Sequence, residues 1–243
     1  MALPKLTQPE FEITLPVIKR KIKFRPFLVK EEKVLLVGKE GDAKDQLGAM
    51  KQILQAVVLS PKNFDPDDLT VTDIEYLFMH LRGKSVDNMV KLRYRDNEDE
   101  QSYDFEIDIN DIKPTFVEGR SYDIPVSNLV LELKDPTLKI MRDAGMSMES
   151  VDLSEDENVN ENKMDSVFEM LAHCLVKVYD NEQVYDDFSH KEAVEFLKGI
   201  DINSFTKIQE FFETAPRLEH KIKYKNNLGN DREIVLKGLS DFF

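Results

Sequence analysis

The sequence contains almost no residues that crosslink a chain or hold a metal. Its 243 residues include one cysteine, Cys174, and no tryptophan. A single cysteine excludes an intramolecular disulfide and indicates a reducing compartment. It cannot complete a structural zinc site, and the four histidines are scattered along the chain without metal-ligand spacing. We therefore predict that the protein uses no metal and no cofactor, and that Cys174 is a buried, inert thiol on an apolar helix stripe.

Long apolar runs are also missing. Runs such as Ala56 to Leu59 are far shorter than the roughly 20 apolar residues that a membrane-spanning helix requires. The N-terminal residues show no apolar core of a secretory signal. These absences predict a soluble intracellular protein that has no membrane partner.

Positive charge is scarce overall but concentrated near the N-terminus. The chain has 33 Lys and Arg residues against 47 Asp and Glu residues, a net charge of -14. This balance argues against nucleic acid as a partner, because phosphate contacts need many cations. A local basic surface that binds an anionic partner stays open, and its residues would be Lys19, Arg20, Lys21, Lys23, Arg25 and Lys30.

Short alternating segments predict antiparallel hairpins in which an acidic strand faces a basic one. Phe11, Ile13 and Leu15 alternate with Glu10, Glu12 and Thr14, and Ile22 and Phe24 alternate with Lys21, Lys23 and Arg25. The two segments can pair across Pro16. Residues 90–95 and 103–109 repeat this arrangement around an acidic turn. A third hairpin is predicted for Ile222 to Tyr224 and Ile234 to Leu236, around the turn at 226–230. A further strand is predicted at 129–133.

Helical periodicity fills most of the remaining chain. Helices are predicted through Glu31 to Leu36, at 43–59, after Pro136, along the apolar stripe from 164 to 178, from Ser189 to about 197, and at 205–212. Thr72 and Glu75 form a T-x-x-E capping box for another helix, which Gly83 ends, and Ser189 and Glu192 form a second box. Because helices and hairpins are segregated, the predicted fold class is α+β, with antiparallel β-hairpins and amphipathic helices.

The acidic, apolar-poor stretch at 146–162 predicts a flexible linker. It divides the chain into an N-terminal α+β domain at 1–145 and a helical segment with a C-terminal hairpin at 163–243. This division is an interpretation of composition alone.

One cluster of carboxylates invites a catalytic interpretation. Asp104, Glu106 and Asp108 alternate along one strand and could hold the metal of a hydrolase. The opposing strand carries cations at alternate positions, Lys91, Arg93 and Arg95, and these favour a solvated charge ladder instead. We predict that the protein is not an enzyme and keep a metal-dependent hydrolase as an alternative.

Several short motifs resemble one known family. They are Phe24-Arg25-Pro26-Phe27 followed by Val29-Lys30-Glu31-Glu32-Lys33, Asp73 to Phe78 with Leu81 to Ser85, Tyr224-Lys225-Asn226 with Leu228-Gly229, and Gly238 to Phe243. Together they resemble the baseplate hub assembly proteins of T-even-like contractile-tailed bacteriophages, over most of the chain. The resemblance implies a virus-encoded protein made in the host bacterial cytoplasm. It implies an assembly factor, or chaperone, or a structural component of the virion baseplate or tail, and brings no catalytic residues with it.

The residues support a binding role in their own right. Strand edges and a terminal aromatic pair can engage other chains, and the resemblance names phage baseplate hub or tape-measure proteins as those partners. Homo-oligomerisation and a general intracellular adaptor role are alternatives that stay open. The candidate partner-binding residues lie in the basic strand-to-helix element and at the C-terminus, and they are Lys21, Lys23, Phe24, Arg25, Phe27, Lys30, Tyr224, Leu239, Phe242 and Phe243.

Overall fold

The fold is given by a computed structural model that describes residues 6–39, 43–146 and 161–238. These residues form seven α-helices and twelve strands, and the strand pairs are antiparallel. The predicted α+β class is confirmed. The helices are α1 (Val29–Lys39), α2 (Ala43–Val57), α3 (Val71–Ser85), α4 (Leu138–Asp143), α5 (Glu161–Cys174), α6 (His190–Lys198) and α7 (Ile202–Glu213).

The strands form four sheets in the described residues. The first sheet has the order β1 (Phe11–Thr14), β2 (Lys21–Phe24), β3 (Val58–Ser60), and a two-stranded sheet joins β4 (Met89–Arg95) to β5 (Ser102–Asp108). The third sheet contains β6 (Pro114–Thr115), β11 (Arg217–Lys225) and β12 (Asp231–Lys237), with β11 in the centre. The fourth has the order β10-β9-β8-β7, from β7 (Asp123–Val126), β8 (Leu129–Leu133), β9 (Leu175–Tyr179) and β10 (Val184–Tyr185).

The three predicted hairpins are confirmed, and in each of them a carboxylate lies opposite a cation. Glu12 lies opposite Lys23 in the first hairpin, Asp104 opposite Arg93 in the second, and Glu233 opposite Lys223 in the third. Side chains on the inner faces of β4–β5 and β11–β12 form a small core with Met79 of α3. Period-two alternation was sufficient to predict these pairs because each hairpin buries one face only.

Two predicted helices end earlier than their apolar stripes suggested. α2 stops at Val57, and the chain continues directly as β3, which pairs with β2. α5 stops at Cys174, and the stripe residues Leu175 and Val178 belong to β9, which pairs with β8. An apolar run that continues past the end of a helix is compatible with a buried strand as well as with more helix. The stripe alone therefore did not show where the helix ends and the strand begins.

The capping prediction for α3 was wrong at both ends. Its N-cap is Thr70, whose hydroxyl accepts a hydrogen bond from the Asp73 N–H, whereas the Thr72 hydroxyl donates to the Pro216 carbonyl. Gly83 lies inside the helix, which continues to Ser85. A Cβ at Gly83 would lie 2.7 Å from Oδ1 of Asn88, so the glycine permits a close approach and does not end the helix.

Other predicted helix signals are confirmed. Ser189 and Glu192 form the predicted reciprocal capping box at the start of α6. α4 follows Pro136 after the N-cap Thr137, and α7 contains the predicted aromatic stripe between its N-cap Asp201 and Glu213. These signals depend on neighbours within one turn, which is why sequence spacing was sufficient.

The residues before and after the predicted linker share one sheet and one core. β8 pairs with β9, and the larger apolar core joins residues from Leu15 to Phe212. The domain division predicted from the sequence therefore does not separate two cores. Within the predicted linker, Met146 is buried and Glu161 already belongs to α5, while 147–160 lie outside the described residues.

Candidate interaction surfaces

The basic strand-to-helix element presents three of its predicted contact residues to solvent. Lys21, Lys23 and Lys30 are exposed, and the ammonium groups of Lys21 and Lys23 lie 3.5 and 4.0 Å from carboxylates of Glu12 and Glu10. Exposed pairs of this kind contribute little to stability, and their charges stay accessible to a partner. Phe24 is different, because it is fully buried in the core and cannot be part of a contact surface.

Arg25 holds the element together internally. Its guanidinium donates to Glu31 at 3.1 Å and to the Ala56 carbonyl at 3.0 Å. Glu31 also accepts the Leu28 N–H at 2.6 Å, close to the start of α1. Burial raises the pKa of Glu31, but the Arg25 and Leu28 hydrogen bonds outweigh burial, so the pKa of Glu31 is below its usual value. Arg25 therefore connects the end of β2 to α1 and to the last turn of α2.

Helix α3 supports the same element at two places. The buried Asp73 carboxylate accepts the N–H groups of Val17 at 2.8 Å and Ile18 at 3.2 Å, in the turn between β1 and β2. Burial raises the pKa of Asp73 above its usual value. At the other end of α3, the Ser85 hydroxyl accepts the N–H of the half-buried Phe27 at 3.0 Å. The backbone that carries Lys21, Lys23 and Lys30 is thus held in place by α3.

Tyr224, the predicted contact residue of the C-terminal hairpin, lies inside an aromatic cluster. Its ring centroid is 4.9 Å from that of Tyr103 and 5.3 Å from that of Phe105. Its hydroxyl donates to the buried Asp96 at 2.6 Å, and burial and this carboxylate raise the pKa of Tyr224 to about 12. The same hydrogen bond, with the Glu98 N–H, holds the pKa of Asp96 below its usual value. Tyr224 joins the two hairpins.

The tips of these hairpins hold each other through a polar network. Glu98 accepts hydrogen bonds from the side-chain amides of Asn226 at 2.6 Å and Asn230 at 2.7 Å. Asp99 accepts the Asn227 N–H at 3.0 Å. We call these contacts the hairpin clasp. It joins residues more than 120 positions apart, and the sequence pattern gave no sign of it.

The predicted terminal contact residues, Leu239, Phe242 and Phe243, lie outside the described residues. The last described residue, Gly238, donates its N–H to the Leu218 carbonyl at 3.3 Å. The prediction that the terminal aromatics contact a partner stays a prediction.

Two of the three carboxylates of the hydrolase hypothesis are paired with cations. Asp104 accepts two hydrogen bonds from Arg93, at 2.7 and 3.0 Å, and Glu106 lies 3.3 Å from Lys91. Asp108 accepts the Asn110 N–H at 2.9 Å. The described ranges contain no group of three or more His, Cys, Asp or Glu residues with metal-site geometry. Asp104 and Glu106 thus form the predicted charge ladder with Arg93 and Lys91, whereas Asp108 lies opposite Met89.

Cys174 is completely buried, as predicted, and burial raises the pKa of its thiol.

A histidine pair next to Cys174 could not be predicted from sequence spacing. The rings of His173 and His190 stack with centroids 4.0 Å apart, and His190 Nε2 lies 2.5 Å from a Glu169 carboxylate oxygen. Burial and the neighbouring His190 lower the pKa of His173. Packing of α5 against α6 creates this pair, which is distant in the sequence.

Within 6–39, 43–146 and 161–238, no helix has the length and apolar character needed to cross a bilayer.

Comparison with known proteins gives one match. A family described as T4 bacteriophage base plate protein matches residues 8–243, nearly the whole chain. Searches of curated proteins and of solved structures found no match. The family match agrees with the resemblance carried by the basic element and the C-terminal motifs. The chain therefore belongs to the T4 bacteriophage base plate protein family.

Proposed function

We propose that this protein is a non-enzymatic component of phage baseplate assembly that holds other tail subunits in place. The observation that carries this proposal is the family match across residues 8–243, which supports a structural or assembly role in the baseplate. The partners that we propose are hub or tape-measure proteins. The protein acts in the host bacterial cytoplasm during assembly, as an assembly factor or as a subunit that stays in the finished baseplate.

The proposed contact surface is the exposed part of the basic element. Lys21, Lys23 and Lys30 are exposed cations on a chain whose net charge is -14. Arg25, Asp73 and Ser85 fix the backbone that carries them. A rigid support reduces the conformational entropy that is lost on binding, which favours a defined contact with an acidic partner surface.

Neutralising this surface tests the proposal. The triple variant Lys21→Gln, Lys23→Gln, Lys30→Gln should lose most of its co-purification with hub or tape-measure subunits from infected cells, measured by affinity pull-down and mass spectrometry. A matched control removes the same charge from exposed lysines elsewhere, Lys62, Lys91 and Lys191. Unchanged recovery of tail proteins by the triple variant, or equal loss in the control, would contradict the proposed surface.

A truncation tests the C-terminal aromatics separately. Deleting 239–243 keeps the Gly238 N–H that contacts Leu218, so the hairpin should stay folded by circular dichroism. We expect tail proteins to be lost from the pull-down. Full retention of tail proteins would show that the terminal residues do not contact the partner. Mass spectrometry of purified tails then separates a retained subunit, present in the particle, from an assembly factor, present only in the lysate.

A further inference from the structure

The four-stranded sheet has one protected edge and one open edge. At the protected edge, β7 contains Pro125, which has no N–H to donate, and its carbonyl accepts Lys207 Nζ at 3.2 Å. At the other edge lies β10, and in the described residues its neighbour is β9 alone. β10 contains neither proline nor lysine, and its two residues offer an added strand a short edge only.

The open edge presents apolar side chains to solvent. Val184 is 55% exposed and Tyr185 is 44% exposed. Val184 also ends an apolar row that crosses the outer face of the sheet with one residue per strand, namely Pro125, Val130, Tyr179 and Val184. A strand added beside β10 would extend this row by one more side chain.

The chain segment that carries this edge is acidic, and Lys177 on the neighbouring strand is already paired with Glu132 at 2.7 Å. Asp180, Glu182, Asp186 and Asp187 lie within eight residues, and no Lys or Arg occurs between Val178 and His190. Asp180 caps its own turn by accepting the N–H groups of Glu182 and Gln183 at 2.8 Å. Glu182, Asp186 and Asp187 are exposed and take part in no ion pair among the described residues. The hairpin ladders differ, because there each acidic strand faces a basic one.

We infer that the β10 edge binds an extended segment of a partner protein by strand addition. The segment carries an apolar pair that packs beside Val184 and Tyr185, flanked on both sides by Lys or Arg residues that face Glu182, Asp186 and Asp187. Backbone hydrogen bonds to the open edge supply affinity, and the apolar and basic side chains supply specificity. Strand addition at β10 rests on the proposed function, because it assumes a partner protein. The β10 edge is distant in sequence from the basic element.

Synthetic hexapeptides test the inference on the full-length protein. The probe is fluorescein-labelled KKVYKK, and the controls are VKKKKY, which separates the apolar pair at equal charge, and EEVYEE. We expect KKVYKK to bind more tightly than VKKKKY by fluorescence anisotropy, and EEVYEE not to bind. Hydrogen exchange should show added protection of amides in β10. Equal binding of KKVYKK and VKKKKY, or no added protection in β10, would overturn strand addition.

Two variants locate the site. Asp186→Asn with Asp187→Asn should weaken KKVYKK binding roughly tenfold, since each exposed ion pair contributes up to about a factor of five. The matched control, Asp231→Asn with Glu233→Gln on β12, should bind like the wild type. Equal weakening in both variants would overturn the site, and concentration-dependent self-association that blocks the peptide would assign the edge to a second copy instead. Peptide binding without recovery of tail proteins would refute the proposed function alone, and the reverse result would refute this inference alone.

Discussion

The buried ion pair between Arg120 and Asp135 gives the sharpest test of what holds the fold together. The guanidinium donates to the carboxylate at 2.7 and 3.3 Å, and the two side chains are only 8% and 9% exposed. The guanidinium also lies 4.0 Å from the ring centroid of Phe211 and donates to its carbonyl at 3.1 Å. The Tyr122 hydroxyl donates to Asp135 at 2.9 Å. The pair therefore joins the loop before β7, the end of β8 and helix α7.

Removing Asp135 would leave the Arg120 charge buried without its partner. Breaking a buried pair in this way costs about 3–5 kcal/mol, and we expect the lower value for Asp135→Ala because Arg120 keeps its contacts with Phe211. With a urea m-value of about 3 kcal/mol/M, a loss of 3 kcal/mol moves the unfolding midpoint down by about 1 M. The double variant Arg120→Met, Asp135→Leu removes both charges and should recover most of the loss.

The chain contains a matched control for this experiment. Arg93 and Asp104 form a pair with similar geometry, at 2.7 and 3.0 Å, but their side chains are 73% and 69% exposed. Asp104→Ala should leave the urea midpoint within experimental error, because water already solvates both groups. If Asp135→Ala and Asp104→Ala shift the midpoint equally, burial does not control the strength of these pairs and the reasoning fails.

Two further predictions concern helix α3. Burial and the charge of Lys84 lower the pKa of His80 to about 4, so the folded state holds the neutral ring and loses stability as pH falls from about 6.5 to 4. The full pKa shift corresponds to about 3 kcal/mol of folding stability, and we expect about half of this because the ring stays partly in contact with solvent. Urea unfolding of His80→Phe should lack this pH-dependent loss. An unchanged pH profile in the variant would contradict the prediction. Gly83→Ala should stabilise the protein by less than the roughly 1 kcal/mol gain in helix propensity, since its Cβ displaces the Asn88 side chain. Thermal unfolding should show the full gain only when Asn88→Ala is also present, and a full gain in the single variant would refute the close approach.

Local patterns predicted the hairpins because the information lies in neighbouring residues. Alternation of Glu12 with apolar residues, and of Arg93 with Leu92 and Tyr94, fixes both the strand and its buried face. The Ser189 capping box was found for the same reason. These features do not require knowledge of which distant segments meet.

Features decided by distant segments were missed. Thr70 and Thr72 both suit an N-cap, and the contact of Thr72 with Pro216 decides between them. Leu175 continues a helical stripe but leaves the helix because β8 offers a strand partner. Of the candidate contact residues, Phe24 was wrong, because it lies on the apolar side of β2 and packs in the core. The β10 edge was missed because two residues are too few to show a period.

The hairpin clasp has a consequence for synthesis of the protein. Glu98 and Asp99 receive the hydrogen bonds of the clasp only after Asn226, Asn227 and Asn230 have been synthesised, more than 120 residues later. During synthesis, the rings of Tyr103 and Phe105 on β5 therefore stay open to water until β11 supplies Tyr224, more than 100 residues later. The hairpin of β4 and β5 is thus exposed to unwanted pairing during synthesis, whereas the residues that support the basic element, Arg25, Asp73 and Ser85, all precede it in the chain.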